Sequence, residues 1–122
     1  MNDTISDLLT RISNAKNAGK ASLNLPYSKI KMGILEVLKT EGYIGTYSKQ
    51  ELSISIDLTG ASKDFTKIRR LSRPGRREYV KSKNITFPKG YGLVILSTPQ
   101  GVLSGRNAKK SGTGGELICE VY

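Results

Sequence analysis

Two clusters of small polar residues and glycines near the C-terminus have types and spacing that suit the binding of phosphates and base edges. Ser97-Thr98-Pro99-Gln100-Gly101 follows the apolar run 93–96, and Gly112-Thr113-Gly114-Gly115-Glu116 precedes the alternating segment 117–122. Hydroxyls donate and accept hydrogen bonds, and glycine lets a backbone approach a ligand closely. The clusters therefore predict a binding surface rather than a catalytic pocket. A glycine-rich turn without a ligand is the alternative interpretation of the second cluster.

The glycine cluster lacks the features of the common nucleotide-binding loops. It precedes a strand rather than a helix, it has no third glycine of the dinucleotide pattern, and it lacks the Gly-Lys-Ser/Thr of a P-loop. Glu116 is a lone acid in a basic region. Its carboxylate would repel phosphate, but it can accept a hydrogen bond from a base amino group or a ribose hydroxyl.

The strongest charge signal is a basic run over residues 63–83, in a chain with 20 Lys and Arg against 10 Asp and Glu. Two residues of the run, Asp64 and Glu78, are acidic. Nine are basic: Lys63, Lys67, Arg69, Arg70, Arg73, Arg76, Arg77, Lys81 and Lys83. Like charges crowded on paired strands repel one another, whereas a phosphate backbone neutralises them. Lysines guarding a sheet edge are the alternative, but the run is rich in arginine, so it predicts contact with nucleic acid.

Two features of the predicted helices also fit an anionic partner. Arg11 and Asn14 are three residues apart and share a helix face, where Arg can bind phosphate and Asn a base edge or ribose hydroxyl. Lys29 and Lys31 lie in the first turn of the second predicted helix, where the helix dipole disfavours cations. There they would form an anion site with the free N–H groups, although two tolerated surface lysines explain the pattern equally well.

The aromatic residues are few, with six Tyr, two Phe and no Trp, so the aromatic strand of an RNA-recognition motif is missing. Tyr79 lies within the basic run and is the best candidate for stacking on a base. Four other tyrosines are predicted to be packing residues: Tyr27, Tyr43, Tyr47 and Tyr91.

The composition excludes most catalytic chemistry. The chain has no histidine, so nucleophile pairs and metal sites that need histidine are excluded, and no catalytic residue, metal or cofactor is expected. Cys119 alternates with Leu117 and Val121, which predicts burial in the core, and a single cysteine fits a reducing compartment. No apolar run approaches the ~20 residues of a membrane span, and residues 1–3 lack the basic start of a signal peptide. We therefore expect an intracellular, soluble protein.

The elements that must position these residues predict an α+β fold of two small lobes. Residues 1–60 form an α-β-α-β-β lobe, with helices over 4–17 and 28–41 and strands over 22–26, 43–48 and 51–58. Residues 60–64 are the expected linker. Residues 66–122 form a β-rich lobe with strands over 66–71, 77–80, 90–96 and 116–122, and with a short helix over 105–111 capped by Ser104. Pro74-Gly75 fits a type II turn.

Four stretches in this order resemble the family of the eighth protein of the small ribosomal subunit, in its bacterial or organellar form. The resemblance covers nearly the whole chain. The stretches are Asp7-Leu8-Leu9-Thr10-Arg11-Ile12-x-Asn14-Ala15; Ser28-Lys29-Ile30-Lys31 with Leu38-x-x-Glu41-Gly42; Ser72-Arg73-Pro74-Gly75-x-Arg77-x-Tyr79; and Ser97-Thr98-x-x-Gly101-Val102 with Gly112-x-Gly114-Gly115-Glu116-Leu117-Ile118-Cys119.

The resemblance implies a non-enzymatic protein that binds the central domain of small-subunit rRNA early in assembly, mainly through its second lobe. It also implies neighbouring small-subunit proteins as partners and, as in bacterial relatives, repression of its own operon through a similar mRNA structure. The implied contacts of the second lobe are Ser97, Thr98, Gly101, Gly114, Gly115 and Glu116, supported by Tyr79, Arg11, Asn14, Lys29 and Lys31. Arg73 and Arg77 of the basic run, with Thr4 and Gln100, complete the candidate RNA-binding residues.

The chain departs from the family pattern at three places. Pro99-Gln100 stands where the family usually has Ser-Lys, so one hydroxyl and one charge are lost, while proline stiffens the loop. Ser13 stands where an arginine is common. Ser104-Gly105 replaces a usual Thr-Asp, which predicts a weaker cap for the short helix.

The sequence therefore predicts a ribosomal rRNA-binding protein of the cytoplasm, with an organellar ribosome as the other possible location. A basic enzyme acting on RNA is one competing class, and it would need a general base or a metal site. A general binder of anionic partners, such as a membrane surface or an acidic protein, is the other class. Its binding would depend on charge alone.

Overall fold

The computed structural model describes residues 4–122, and residues 1–3, which bear on the signal-peptide expectation, lie outside this range. The described residues divide into two compact units, Thr4–Phe65 and Thr66–Tyr122. The helices are α1 (Thr4–Asn17), α2 (Lys29–Thr40) and α3 (Gly105–Lys110), and the strands are β1 (Ser22–Pro26), β2 (Thr46–Gln50), β3 (Ser53–Asp57), β4 (Ile68–Arg70), β5 (Tyr79–Val80), β6 (Leu93–Thr98), β7 (Gly101–Ser104) and β8 (Gly115–Val121). The predicted α+β class is confirmed, with helices and strands in the N-terminal lobe and mostly strands in the C-terminal lobe.

The N-terminal unit has an antiparallel sheet in the order β1-β3-β2. The apolar residues of α1 recur at helical spacing, and Leu8, Leu9 and Ile12 are buried together with Ile34 and Leu38 of α2. Ser28 caps α2 by accepting a hydrogen bond from the Lys31 N–H at 3.3 Å. The predicted strand over 43–48 is partly wrong: β2 begins at Thr46, because Tyr43 N–H instead donates to the Leu38 carbonyl that ends α2.

The C-terminal unit has an antiparallel sheet in the order β4-β8-β6-β7, with β5 also paired to β8. Strands β6 and β8 form its centre, which fits their dense apolar runs. The core contains Ile85, Val94, Leu96 and Ala108, so it joins β6 to α3. Ser104 caps α3 by accepting from the Asn107 N–H at 3.2 Å, and the helix stops before Gly112, whose φ of 68° suits a C-terminal cap. The replacement of the family's Thr-Asp therefore leaves the cap in place.

Several predictions for the basic run and the hairpins are wrong in detail. Strands β4 and β5 are shorter than predicted, and both pair with β8 rather than with each other. The turn between Arg73 and Arg76 is closed by two backbone hydrogen bonds of 3.0 and 2.9 Å, but Gly75 does not have the positive φ that a type II turn needs. The sequence pattern also missed β7 and two short 3-10 helices, Ser82–Asn84 and Pro88–Gly90.

Candidate nucleic-acid interface

One row of side chains crosses four strands of the C-terminal sheet. Tyr79 of β5 pairs with Glu116 of β8, Glu116 pairs with Ser97 of β6, and Ser97 pairs with Val102 of β7. Residues directly opposite one another in antiparallel strands project from the same face. The sheet therefore brings Tyr79, Glu116 and Ser97, which lie far apart in the sequence, onto one face.

The Ser97 and Thr98 hydroxyls have different environments, because successive strand residues alternate between faces. The Ser97 hydroxyl has no hydrogen-bond partner within residues 4–122, so it can bind a ligand. Thr98 Oγ1 instead donates to the Gly101 carbonyl at 2.8 Å and accepts from the Gln100 N–H at 3.1 Å. The Thr98 hydroxyl thus closes the β6–β7 hairpin, whose two loop residues are the exposed Pro99 and Gln100.

Gly114 and Gly115 pack closely against the protein's own backbone on the side where a Cβ atom would project. A Cβ atom on Gly114 would lie 2.4 Å from the Val80 carbonyl oxygen, and one on Gly115 would lie 2.2 Å from the Ser97 carbonyl oxygen. These distances are far below van der Waals contact. The two glycines therefore set the spacing between the start of β8 and the strands on either side of it.

One oxygen of the Glu116 carboxylate binds two groups of the same unit. Its Oε2 accepts from the Ser72 hydroxyl at 2.6 Å and from Arg77 NH1 at 2.8 Å. Partial burial acts to raise the pKa of Glu116, but the hydrogen bonds from Ser72 and Arg77 and the nearby guanidinium charges outweigh it, so the pKa is lowered. Glu116 is therefore ionised at neutral pH and held in place.

The arginines of the basic run have distinct partners. Arg69 pairs with Glu120 at 3.5 Å, and Arg70 NH1 donates to the Ile118 carbonyl at 2.7 Å. Arg73 and Arg76 are exposed and have no ion-pair partner in the described part of the chain. A groove of about 340 Å³ is lined by Arg69, Arg70, Leu71, Arg73, Arg76 and Glu78. The sequence indicated this charge, but not that four arginines share one groove.

The tyrosines only partly follow the prediction. Tyr79 is 70% exposed, as a stacking residue must be, but Tyr91 is 75% exposed, so its prediction as a packing residue is wrong. Tyr27 is 38% exposed, with Lys49 Nζ 4.5 Å from its ring centroid. Tyr43 is buried. Tyr47 donates to Glu36 at 2.6 Å, and its burial and this hydrogen bond raise the pKa of Tyr47 to about 12.

A second candidate surface lies within the N-terminal unit. Arg11 and Asn14 line a groove of about 540 Å³ together with Lys20 and Asn24; its other lining residues are Ala15, Ala18, Ser22 and Leu23. Arg11 also pairs with Asp7 at 3.4 Å. Lys20 and Asn24 were not predicted as site residues, because they follow α1 in a turn and a strand and do not share its helical face. Thr4 is exposed at the first residue of α1.

The two lysines at the start of α2 differ in exposure. Lys29 is exposed, as expected for an anion contact. Lys31 is 3% exposed, and its Nζ donates to the Pro26 carbonyl at 3.0 Å. The expectation of two similar surface lysines is therefore wrong, because the Lys31 side chain turns back to join α2 to the end of β1.

Comparison with known proteins gives one consistent result. The family model for ribosomal protein S8 matches residues 3–122. Small ribosomal subunit protein uS8 of Rhizobium rhizogenes is 42% identical over 130 residues, covering 100% of this chain and 98% of that protein. The protein of the same name from Saccharophagus degradans is 41% identical over 128 residues with the same coverage, and that from Aliivibrio salmonicida is 42% identical over 129 residues, covering 99% and 98%.

The chain belongs to the ribosomal protein S8 family. Family membership makes it a structural, non-enzymatic component of the small ribosomal subunit that binds rRNA, so the predicted function class and its place on the cytoplasmic ribosome are confirmed. The competing class of an enzyme acting on RNA is thereby rejected.

Three further features of this S8-family chain concern its cysteine, metal ligands and membrane helices. Cys119 is buried, and its burial raises the pKa of the thiol to about 12, so it packs as a small apolar residue. Within residues 4–122 there is no group of three or more His, Cys, Asp or Glu side chains that could hold a metal ion. The helices of the described residues include none that is long and apolar enough to cross a membrane.

Proposed function

We propose that this S8-family chain binds the central domain of small-subunit rRNA directly, early in assembly, and that neighbouring small-subunit proteins dock beside it. The C-terminal unit supplies the specific contacts, and the N-terminal unit adds phosphate contacts. The observation that supports this most is the free Ser97 hydroxyl on the same sheet face as the 70% exposed Tyr79 ring. Such a face offers stacking and a hydroxyl that can bond a base edge or a 2′-hydroxyl.

The charges around this face supply affinity. Arg77 reaches the row through its bond to Glu116, and the groove beside it contains Arg73 and Arg76. Guanidinium groups bind phosphate with two parallel hydrogen bonds. The proposed contacts of the C-terminal unit are Arg73, Arg77, Tyr79, Ser97, Thr98, Gln100, Gly101, Gly114 and Gly115; the Thr98 and glycine contacts are made by their backbone, because the Thr98 hydroxyl is used in the hairpin.

The N-terminal unit contributes a smaller set of contacts. Arg11 and Asn14 share a groove with Lys20, and Lys29 and Thr4 are exposed. Lys31 contributes indirectly, because its buried ammonium donates a hydrogen bond to the Pro26 carbonyl and so joins α2 to β1. We also propose that the mRNA of the protein's own operon binds the same C-terminal face where it folds like the rRNA site.

Filter binding to a central-domain rRNA fragment tests the proposed function. We expect affinity to fall steeply as salt rises, because each neutralised phosphate releases counterions. Ser97→Ala should weaken specific binding about threefold to tenfold, the cost of one lost hydrogen bond, and should leave binding to unstructured RNA unchanged. Ser48→Ala, which removes an exposed hydroxyl from β2, is the matched control.

Two outcomes would contradict the proposal. A salt dependence of affinity near zero would contradict the proposed phosphate contacts. Equal losses of affinity by Ser97→Ala for the rRNA fragment and for unstructured RNA would show that Ser97 makes no specific contact. Competition separates the rRNA site from a general anionic-partner binder. We expect the structured fragment to displace labelled RNA at concentrations where polyglutamate does not.

A further inference from the structure

We propose that Glu116 is a positioning residue, which fixes the arginine turn Arg73–Arg76 against β8 so that the turn can bind RNA phosphates. Glu116 then acts through Ser72 and Arg77 and does not itself bind a base. This inference rests on the proposed RNA binding and names the residue that organises its phosphate contact.

Ser72 is the buried link between Glu116 and the turn. It is 0% exposed, and its hydroxyl donates to Glu116 Oε2 at 2.6 Å while accepting from the Glu78 N–H at 3.0 Å. Its own N–H donates to the Leu117 carbonyl at 3.1 Å. One buried hydroxyl therefore joins Ser72, just before the turn, to Glu78, two residues after the turn, and to Glu116 of β8.

The other end of the turn is anchored to the same part of β8. Arg77 NH1 donates to Glu116 Oε2 at 2.8 Å, and the Leu117 N–H donates to the Glu78 carbonyl at 2.9 Å. Both ends of the turn are thus tied to two successive residues of β8. The four residues between them have little freedom, because two backbone hydrogen bonds also join Arg73 to Arg76.

The anchored turn forms one wall of the arginine groove. Arg73 and Arg76 line it together with Arg69 and Arg70 of β4. Four guanidinium groups in one groove repel one another, so an unanchored turn would move Arg73 and Arg76 outward. In a fixed groove, several guanidinium groups can form paired hydrogen bonds with a phosphate. Binding then loses little conformational entropy, because the turn is already ordered.

The geometry of Glu116 favours positioning over direct contact with a base. Its side chain is 20% exposed, and a single oxygen, Oε2, accepts both the Ser72 and the Arg77 hydrogen bonds. A base bound at Oε2 would compete with these bonds and leave the buried Ser72 hydroxyl without its acceptor. That loss is costly for a buried polar group.

Ser72→Ala gives the sharpest test, because a residue with no exposed surface cannot touch RNA. If Glu116 acts by positioning, Ser72→Ala should weaken binding to the rRNA fragment about fivefold to tenfold and reduce the salt dependence by about one phosphate contact. Ser104→Ala is the matched control. It removes another buried hydroxyl of the same unit, one that caps α3 and does not touch the turn. Ser104→Ala should therefore lower stability while leaving the salt dependence unchanged.

Glu116→Gln is the second variant, and it keeps the inference testable if Ser72→Ala does not fold. A neutral acceptor should hold Ser72 and Arg77 weakly, so affinity and salt dependence should both fall, and adding Ser72→Ala should cause little further loss. Unchanged affinity in Ser72→Ala with a clear loss in Glu116→Gln would overturn the inference in favour of a direct contact. Tighter RNA binding by Glu116→Gln would show that the Glu116 carboxylate mainly repels the RNA phosphates, and this result would also overturn the inference. If the wild-type protein fails to bind the fragment, the proposed function fails instead.

Discussion

Gly115 and Ser97 pack backbone against backbone, so closely that a Cβ atom on residue 115 would lie 2.2 Å from the Ser97 carbonyl oxygen. The two residues belong to neighbouring strands, and Glu116, the next residue, is the cross-strand partner of Ser97. The position of the Ser97 hydroxyl on the proposed RNA-binding face therefore depends on the absence of a side chain at residue 115.

Replacing Gly115 by alanine should lower the free energy of unfolding by about 2–3 kcal/mol, because the new methyl group must push two backbones apart. Denaturant unfolding of purified protein measures this loss. Gly75→Ala is the control, since a Cβ atom there meets nothing within 4 Å and Gly75 lacks a positive φ. Equal stability of the two variants would mean that the strands tolerate a wider spacing at residue 115.

Substitutions of Lys31 and Lys29 should affect different properties, the first mainly stability and the second mainly RNA binding. Lys31→Met should lower the free energy of unfolding by about 1–2 kcal/mol, because it removes the buried hydrogen bond to the Pro26 carbonyl. Lys29→Met removes an exposed charge and should leave stability nearly unchanged while weakening RNA binding. Thermal unfolding and filter binding on both variants check this. The reverse pattern would contradict the assignment of the two roles.

Acid should destabilise the protein partly through Glu116. Its pKa in the folded protein is lowered from an ordinary value of 4.5, since the hydrogen bonds from Ser72 and Arg77 outweigh the opposing effect of burial. A depressed carboxyl pKa contributes stability above the unfolded pKa, and this contribution is lost as pH falls through the folded pKa. Glu116→Gln should therefore show a smaller loss of unfolding free energy between neutral and acidic pH. Parallel curves for the two proteins would argue against this contribution.

Tyr79 and Tyr91 are similarly exposed, but they should differ in RNA binding. Tyr79→Ala should weaken binding to the central-domain fragment by about 1–3 kcal/mol, the usual cost of one lost base–aromatic stack. Tyr91 lies outside the row that contains Ser97, so Tyr91→Ala should have little effect. Similar losses in both variants would show that the RNA contact extends beyond this row.

Local chemistry made much of the fold predictable. The helical spacing of Leu8, Leu9 and Ile12 predicted α1 with its observed bounds, and Ser104 and Gly112 correctly marked the ends of α3. The helix cap at Ser28 followed from the same rules. These features depend on neighbouring residues, so a sequence pattern is enough to find them.

Contacts between distant residues were less predictable. Strands β4 and β5 both pair with β8, which cannot be inferred from the basic run itself. Lys29 and Lys31 are equivalent in the sequence pattern, and only the fold shows that the Lys31 ammonium donates to the Pro26 carbonyl. The close packing of Gly114 and Gly115 against the Val80 and Ser97 backbone could not be inferred from the glycines themselves.

The sequence by itself determined the α+β class and most of its elements, the excess of basic residues, the lack of histidine chemistry and, through four motifs, the family. Tertiary structure alone decided which residues share a surface. It placed Tyr79, Glu116 and Ser97 in one row. It also set the hydrogen bonds of the Thr98 hydroxyl within the β6–β7 hairpin and those of Glu116 with Ser72 and Arg77. The physical reason is that helix periodicity, caps and charge are local or additive properties, whereas hydrogen-bond partners and burial depend on chain segments brought together only by strand pairing.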